Sequence, residues 1–184
     1  IATVALREDW NDTTTDNQLS HTQVDQSDSA LTGRVALTYL AESGLAPYFS
    51  YSTSFLPVAG VDFYNRPFEP TEGEQFEGGL KFQPKGSNSF LTASVFQITQ
   101  TNVSVPDPVN PFSSVQQGEI RSQGLELEAI GSLATSFNYY ASYSYLDQEV
   151  TETTDPATLG KRPPLAPDQL FAAGGEYMFT EGGA

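Results

Sequence analysis

The chain has 184 residues, of which 8 are Lys or Arg and 23 are Asp or Glu, so its net charge is −15. This charge repels phosphate backbones and argues against nucleic-acid binding. The absence of cysteine excludes disulfides, thiolate metal sites and cysteine nucleophiles. No run of about 18 apolar residues is present, which excludes a transmembrane helix but does not test for membrane strands.

Along the chain, apolar and polar residues alternate with a period of two in eight segments, which predicts eight strands. The expected strands cover residues 1–11, 31–42, 45–56, 73–84, 89–103, 116–133, 136–149 and 167–180. In the sixth, Leu125 and Leu127 alternate with Glu126 and Glu128. The pattern predicts an all-β protein whose strands have one apolar and one polar face.

The connections between these strands alternate between short and long. Short turns are expected at 42–44, 84–88 and 134–136, and long loops at 12–30, 57–72, 104–115 and 150–166. Outer-membrane barrels have short periplasmic turns and longer extracellular loops, whereas Greek-key sandwiches have no such constraint. The sequence therefore favours part of an antiparallel, up-and-down transmembrane β-barrel.

Aromatic residues near the expected strand ends also suit a membrane barrel, because such barrels carry aromatic girdles at both interfaces. These residues are Trp10, Tyr39, Tyr48, Phe82, Tyr145, Tyr177 and Phe179. Most expected strands are also longer than the globular mode of about 5–6 residues.

Two segments resemble strands of TonB-dependent receptors. Residues 73–82 are similar to the family pattern Glu-Gln-aromatic-Glu-x-Gly-x-Lys-aromatic, and residues 118–128 to Arg-Ser-x-Gly-x-Glu-x-Glu. Similar stretches at 46–55, 141–147 and 159–164 occur in the family order. The resemblance extends from about Leu31 to Phe179 and is closest to siderophore receptors of the ferrichrome and ferrioxamine type.

The resemblance implies that residues 1–184 are part of a barrel of about 22 strands, and that the plug domain, the TonB box and the terminal strands lie outside this sequence. It implies a multi-pass protein in the outer membrane of a Gram-negative bacterium, in contact with outer-membrane lipid. The whole receptor is expected to import a ferric siderophore, of the hydroxamate class, driven by the TonB–ExbB–ExbD complex through the plug. No enzymatic activity and no covalently bound cofactor are expected.

Candidate ligand contacts are the aromatic residues of the long loops, since functional groups concentrate on such loops. They are Phe63, Tyr64, Phe68 and Phe112. Packing within the loops is the alternative role for these side chains. The charged residues expected to face the lumen are Arg34, Lys81, Arg121, Glu126 and Glu128. They are expected either to pair across neighbouring strands or to meet the plug or the ligand.

No catalytic or metal-binding set is predicted. His21 is the single histidine and lies in a polar segment without a second histidine or a cysteine to complete a site. Two other classes of protein remain open at this point. One is a self-contained eight-stranded barrel acting as an adhesin or structural anchor, and the other is a soluble β-sandwich that acts as a binding module.

Overall fold

The computed structural model of the protein describes residues 1–17, 22–107, 109–133, 136–163 and 167–179. The elements in this part of the chain are all β-strands, and it contains no helix that is long and apolar enough to cross a membrane. The strands are β1 (Ala2–Asn17), β2 (Thr22–Thr38), β3 (Leu45–Leu56), β4 (Thr71–Phe82), β5 (Phe90–Pro106), β6 (Ser114–Leu133), β7 (Phe137–Glu152) and β8 (Gln169–Tyr177).

The eight strands form one sheet in sequence order, and all neighbours are antiparallel. This confirms the predicted all-β, up-and-down architecture. A β-sandwich would need two packed sheets, and the described residues form only one. Strands β1 and β8 are the two edges and do not pair with each other, so the eight strands do not close into a small barrel of their own.

One face of the sheet, here called the outer face, carries a band of exposed apolar side chains that ends sharply. In β5, β6 and β7, Val95, Leu125 and Tyr145 lie side by side as the last apolar row. The next row on the same face is Gln97, Gln123 and Asp147. From Leu125 to Leu133 the band covers about 26 Å along the strand at about 3.3 Å per residue, close to the about 25 Å of a membrane barrel.

The opposite face, here called the inner face, is polar and more crowded. Ser50, Ser94 and Ser122 lie on it and are only 3%, 6% and 4% exposed. No second layer covers the sheet in the described residues. Neighbouring residues of the sheet itself therefore bury these serines. The inner face is therefore the side that a closed barrel would turn to its lumen.

The prediction of a long loop at 12–30 was wrong, because β1 and β2 continue as a hairpin to Asn17 and from Thr22. His21 lies outside the described residues. The hairpin is polar on both faces, so the apolar alternation used to predict strands is absent there. Its ladder is accompanied by side-chain bonds, such as Ser27 Oγ to Asp12 Oδ1 at 2.7 Å. Strands β5, β6 and β7 also extend beyond their predicted ends, to Pro106, from Ser114 and to Glu152.

The β1–β2 hairpin separates from the rest of the sheet towards the long loops. Pairing of β2 with β3 is confined to Arg34–Thr38 and Tyr48–Ser52. At the point of separation, the Gly33 N–H donates to the Thr53 side-chain hydroxyl at 3.0 Å instead of to a backbone carbonyl. The hairpin therefore projects beyond the apolar band with one edge of β2 unpaired.

Candidate ligand-binding loops and inner wall

The β3–β4 loop, residues 57–70, has a tight turn at its tip, and Asp62 organises this turn. Its carboxylate accepts the backbone N–H of Tyr64 at 2.8 Å and that of Arg66 at 2.9 Å. It also accepts the Arg66 Nε–H at 2.7 Å. Asn65 has a left-handed φ of 60°, which Asn tolerates in turns. This local network is possible because Asp and Asn side chains bond readily to nearby backbone groups.

The charge state of Asp62 follows from the same bonds. Partial desolvation raises the pKa of the carboxyl, but the hydrogen bonds from the Arg66 backbone and guanidinium and from the Tyr64 N–H outweigh it, so the pKa is lowered overall. Asp62 therefore remains a carboxylate in mildly acidic solution and keeps the turn closed.

The turn presents two of the predicted aromatic residues to solvent. The Phe63 and Tyr64 rings pack edge to face with centroids 5.3 Å apart, yet they are 53% and 67% exposed. The Arg66 guanidinium lies 5.3 Å from the Tyr64 ring centroid. Phe68 differs, because it is half-buried and its ring approaches Gly60 within the same loop. Loop packing thus accounts for Phe68 but leaves Phe63 and Tyr64 accessible.

Two side-chain amides join this loop to the β5–β6 hairpin. Gln116 accepts the Glu69 N–H at 2.5 Å and donates to the carbonyls of Glu69 and Asn102 at 2.5 and 3.0 Å. Asn102 donates to the Pro70 carbonyl at 3.0 Å. We call this group, Glu69, Pro70, Asn102 and Gln116, the amide bracket. The bracket fixes the positions of two loops relative to each other, although they are far apart in the sequence.

The β5–β6 turn, residues 107–113, holds the fourth predicted aromatic residue. The Asp107 carboxylate accepts the backbone N–H groups of Val109 and Asn110 at 2.8 and 3.1 Å and the Asn110 side-chain amide at 2.8 Å. The Asn110 side-chain bond, followed by the backbone bonds, lowers the Asp107 pKa despite some desolvation. Phe112 is fully exposed and has a φ of 67°, a strained conformation for a bulky residue.

On the inner face, the two basic residues make contacts with neutral groups. The Arg34 guanidinium lies 3.5 Å from the Ser50 hydroxyl, and Lys81 Nζ lies 4.9 Å from the Tyr48 ring centroid. Tyr48 was predicted to join an aromatic girdle, but it lies on the inner face, where its ring covers Gly79 and its hydroxyl donates to Glu77 at 2.6 Å. A side chain at Gly79 would collide with that ring, which explains the glycine.

Glu126 and Glu128 also lie on the inner face, two residues apart on β6. Together with the hydroxyl-bearing residues of the neighbouring strands they line a cavity of about 240 Å³. The hydroxyls belong to Thr92, Ser94, Ser142 and Ser144. Within the described residues, neither carboxylate forms an ion pair, so the predicted pairing across strands is not made here.

Arg121 corrects the predicted set of lumen residues. It is an odd number of residues from Glu126 on an unbroken part of β6, so it lies on the outer face, in the row of Thr99 and Glu149. Its guanidinium binds the Glu149 carboxylate at 2.6 Å, which is the predicted cross-strand pair but on the other face. Arg121 is therefore above the apolar band and does not face the lumen.

Sequence reasoning missed the residues that order the loops. Asp62 could have been predicted, since an Asp side chain in a turn commonly accepts the backbone N–H two residues on, as it does here from Tyr64. Gln116 carried none, because its partner Glu69 is 47 residues away.

These features define a class of protein. An antiparallel up-and-down sheet with an apolar outer band, a polar inner face and long loops at one end is a wall of an outer-membrane β-barrel. A sequence profile described as TonB dependent receptor-like, beta-barrel matches residues 1–184. The chain belongs to this family of outer-membrane proteins of Gram-negative bacteria, as the two strand patterns predicted.

Named relatives narrow the comparison. The chain is 36% identical over 182 residues to the ferrichrome outer membrane transporter/phage receptor of Escherichia coli K12, covering 99% of this chain and 24% of that protein. It is 38% identical over 167 residues to the ferrioxamine B receptor of Salmonella typhimurium SL1344, covering 90% and 23%. The chain thus spans about a quarter of the length of these relatives.

Solved structures agree on the fold. The ferric preacinetobactin receptor BauA of Acinetobacter baumannii matches with a TM-score of 0.75 and 27% identity, over 98% of this chain and 27% of that one. The siderophore receptor PiuA of the same species matches with a TM-score of 0.77 and 23% identity, over 96% and 28%.

Proposed function

We propose that the chain is part of the barrel wall of a receptor that binds a ferric siderophore at the cell surface and imports it in a TonB-dependent manner. The observation that carries this proposal is the match, over nearly the whole chain, to receptors whose names specify ferrichrome and ferrioxamine B. These relatives are transporters and receptors, which supports a non-enzymatic role with the ferric siderophore as cargo. A hydroxamate ligand and action of TonB–ExbB–ExbD through a plug outside this sequence complete the proposal.

The loops supply the proposed ligand contacts. Phe63 and Tyr64 are exposed and held by the Asp62 turn, while Phe112 is held out by the Asp107 turn. Preordered aromatic side chains lose little entropy on binding and offer rigid faces to an apolar and amide-rich ligand. Phe68 contributes indirectly, by packing inside the loop. Arg34, Lys81, Glu126 and Glu128 line the wall below and are proposed to meet the plug or the passing ligand.

Uptake in cells tests the proposal. The full-length receptor is expressed in a Gram-negative strain that lacks its own hydroxamate receptors, and uptake of radioactive ferrichrome and ferrioxamine B is measured with and without functional TonB. Uptake that requires both the receptor and TonB is the expected result. Uptake that is absent for both ferric hydroxamates would contradict the proposal.

The role of the loops needs a separate variant. Phe63→Ala/Tyr64→Ala is expected to weaken ferric hydroxamate binding about tenfold, since truncated aromatic contacts commonly cost about 1–2 kcal/mol. Phe68→Leu retains an apolar side chain inside the loop and serves as the control. Equal affinities for the double variant and the unmodified receptor would remove these two aromatic residues from the site.

A further inference from the structure

Strand β2 has a free backbone edge towards the long loops. Its pairing with β3 ends at Arg34 and Ser52, whereas its pairing with β1 continues without a break to Thr22. Backbone groups alternate in direction along a strand, so every second residue of this stretch turns its N–H and C=O away from β1. We call these backbone groups the β2 edge. They belong to Gln23, Asp25, Ser27, Ser29 and Leu31, all of which are exposed.

The chain itself does not cover the β2 edge. Strand β2 lies between β1 and β3 in the sheet, so further strands of a larger barrel would join at β1 or β8 and not here. The β3–β4 loop reaches β2 through a side chain, because Gln26 Nε2 donates to the Phe68 carbonyl at 2.6 Å. The backbone groups of Gln26 point to β1, so this bond leaves the edge open. Among the described residues, no backbone group bonds to the β2 edge.

The comparable extension of β7 is covered by its own loop. The Val150 N–H donates to the Lys161 carbonyl at 2.9 Å, and the Gly160 N–H donates to the Val150 carbonyl at 2.9 Å. The same sheet therefore closes one extended strand with local chain and leaves another open. An open strand edge is a template for pairing with another polypeptide.

The gap between β2 and β3 begins with a cavity. At its closed end the Gly33 N–H donates to the Thr53 hydroxyl, as described above. Leu31 on one side and Thr53 and Phe55 on the other line a cavity of about 420 Å³. Glu72 and Glu74, on the next strand, line the same cavity. The gap thus offers both backbone partners and space for side chains beside β2.

The chemistry of the gap specifies its occupant. A straight row of N–H and C=O groups matches the backbone of an extended polypeptide, which binds by adding a strand. Asp25 lies on the edge, and its carboxylate accepts bonds from the neutral Thr14 hydroxyl and Gln23 amide, so its charge is not compensated by them. Glu72 and Glu74 add negative charge, and no basic residue lines the cavity within the described part of the chain. A basic segment therefore fits, whereas a second copy of this chain would bring its own Asp25 to the same edge.

We propose that the β2 edge is a docking site for an extended basic segment of another protein, which adds to β2 as a further strand. The edge accommodates a segment of about nine residues, about 30 Å long at about 3.3 Å per residue. The long loops of an outer-membrane barrel face the outside of the cell, so the partner is an extracellular polypeptide. This surface is distinct from the proposed ligand contacts at Phe63, Tyr64 and Phe112, and its role does not depend on which chelate the receptor imports.

A model peptide tests the proposal on the full-length receptor in lipid vesicles. The probe is a fluorescent nonapeptide of alternating lysine and threonine, and its binding is measured by fluorescence anisotropy. We expect saturable binding. The same peptide with all backbone amides methylated keeps its charge but loses its donors, and should bind at least about tenfold more weakly. The same peptide with glutamate in place of lysine should also bind at least about tenfold more weakly. No saturable binding of the lysine peptide, or equal affinity for either control peptide, would overturn the proposal.

A receptor variant and its matched control locate the site. Ser29→Pro removes one donor of the β2 edge and keeps the bonds to β1, because the Ser29 N–H points away from β1 and proline is tolerated at such edge positions. It should weaken binding of the lysine peptide about fivefold, whereas Ser29→Ala, which keeps the N–H, should not change it. Equal affinities of the two variants would contradict docking at this edge.

Hydrogen exchange of the unmodified receptor gives a second measurement that does not depend on how well a variant folds. The lysine peptide should slow exchange in residues 23–31 about tenfold or more, and the glutamate peptide should not. Binding of the lysine peptide without protection of this segment would overturn the proposal, and neither result bears on ferric siderophore uptake.

Discussion

Asp62 and Arg66 are joined twice, because the Asp62 carboxylate accepts both the backbone N–H and the side-chain Nε–H of Arg66, at 2.9 and 2.7 Å. One side chain therefore closes the turn and also neutralises the cation that it positions beside Tyr64. The loop tip is ordered by a contact between residues four positions apart.

The first prediction concerns pH. The folded Asp62 pKa is lowered from its ordinary value of 3.8, so the contribution of the carboxylate to loop order is present above that value and lost as pH falls through the lower folded pKa. A spin label at Tyr64→Cys in the full-length receptor should keep its mobility from neutral pH down to about pH 4 and loosen only below. Asp62→Asn should be loose across the whole range. A transition near pH 6 would contradict this assignment.

The second prediction concerns the amide bracket. Gln116→Leu removes three hydrogen bonds, which are each worth about 1 kcal/mol at most sites, and should broaden the distance between spin labels at positions 64 and 112. Gln97→Leu is the control, because it removes a glutamine–glutamine bond on the barrel wall away from the loops. The same narrow distance distribution in Gln116→Leu and the unmodified receptor would show that the bracket does not couple the loops.

The third prediction tests the edge of the apolar band. Ala129→Arg places a charge at the middle of the band and should destabilise the folded receptor in lipid by about 2–4 kcal/mol, whereas Gln123→Arg, on the same face of the same strand, should cost no more than about 1 kcal/mol. Denaturant unfolding of the two variants from lipid vesicles gives the comparison. Equal costs would place the membrane boundary elsewhere.

The fourth prediction concerns close packing on the inner face. A Cβ at Gly124 would lie 2.5 Å from the Tyr145 carbonyl oxygen and 2.6 Å from the Phe96 ring, so Gly124→Ala should destabilise the receptor by about 1–3 kcal/mol. At Gly78 the nearest atom would be 4.0 Å away, so Gly78→Ala should be tolerated. The temperature at which the folded band disappears in gel electrophoresis measures both. A loss of stability in Gly78→Ala but not in Gly124→Ala would contradict this explanation.

Much of the wall was predictable from sequence, because apolar residues recur at every second position of a strand with one apolar face. The same period of two also shows which face of the sheet each residue occupies. The same counting places Arg121 and Glu126 on different faces of β6, so the prediction that Arg121 faces the lumen could have been avoided. The hairpin beyond Trp10 was not predictable in this way, since both of its faces are polar and its ladder leaves no apolar signal. The bracket at Gln116 depends on the register of four strands, β3 to β6, which no local pattern contains.

Because one edge of β2 is unpaired, the backbone amides of this strand fall into two groups. The bond of Thr38 to the Ile1 carbonyl points to β1, and that of Tyr39 to Pro47 points to β3. Since direction alternates along a strand, the even-numbered amides from Thr22 to Ala30 point into the hairpin, and the odd-numbered ones from Gln23 to Leu31 point to the edge that no strand pairs with. Hydrogen exchange along this strand should therefore alternate residue by residue between slow and fast, and a bound molecule that covers this edge would abolish the alternation.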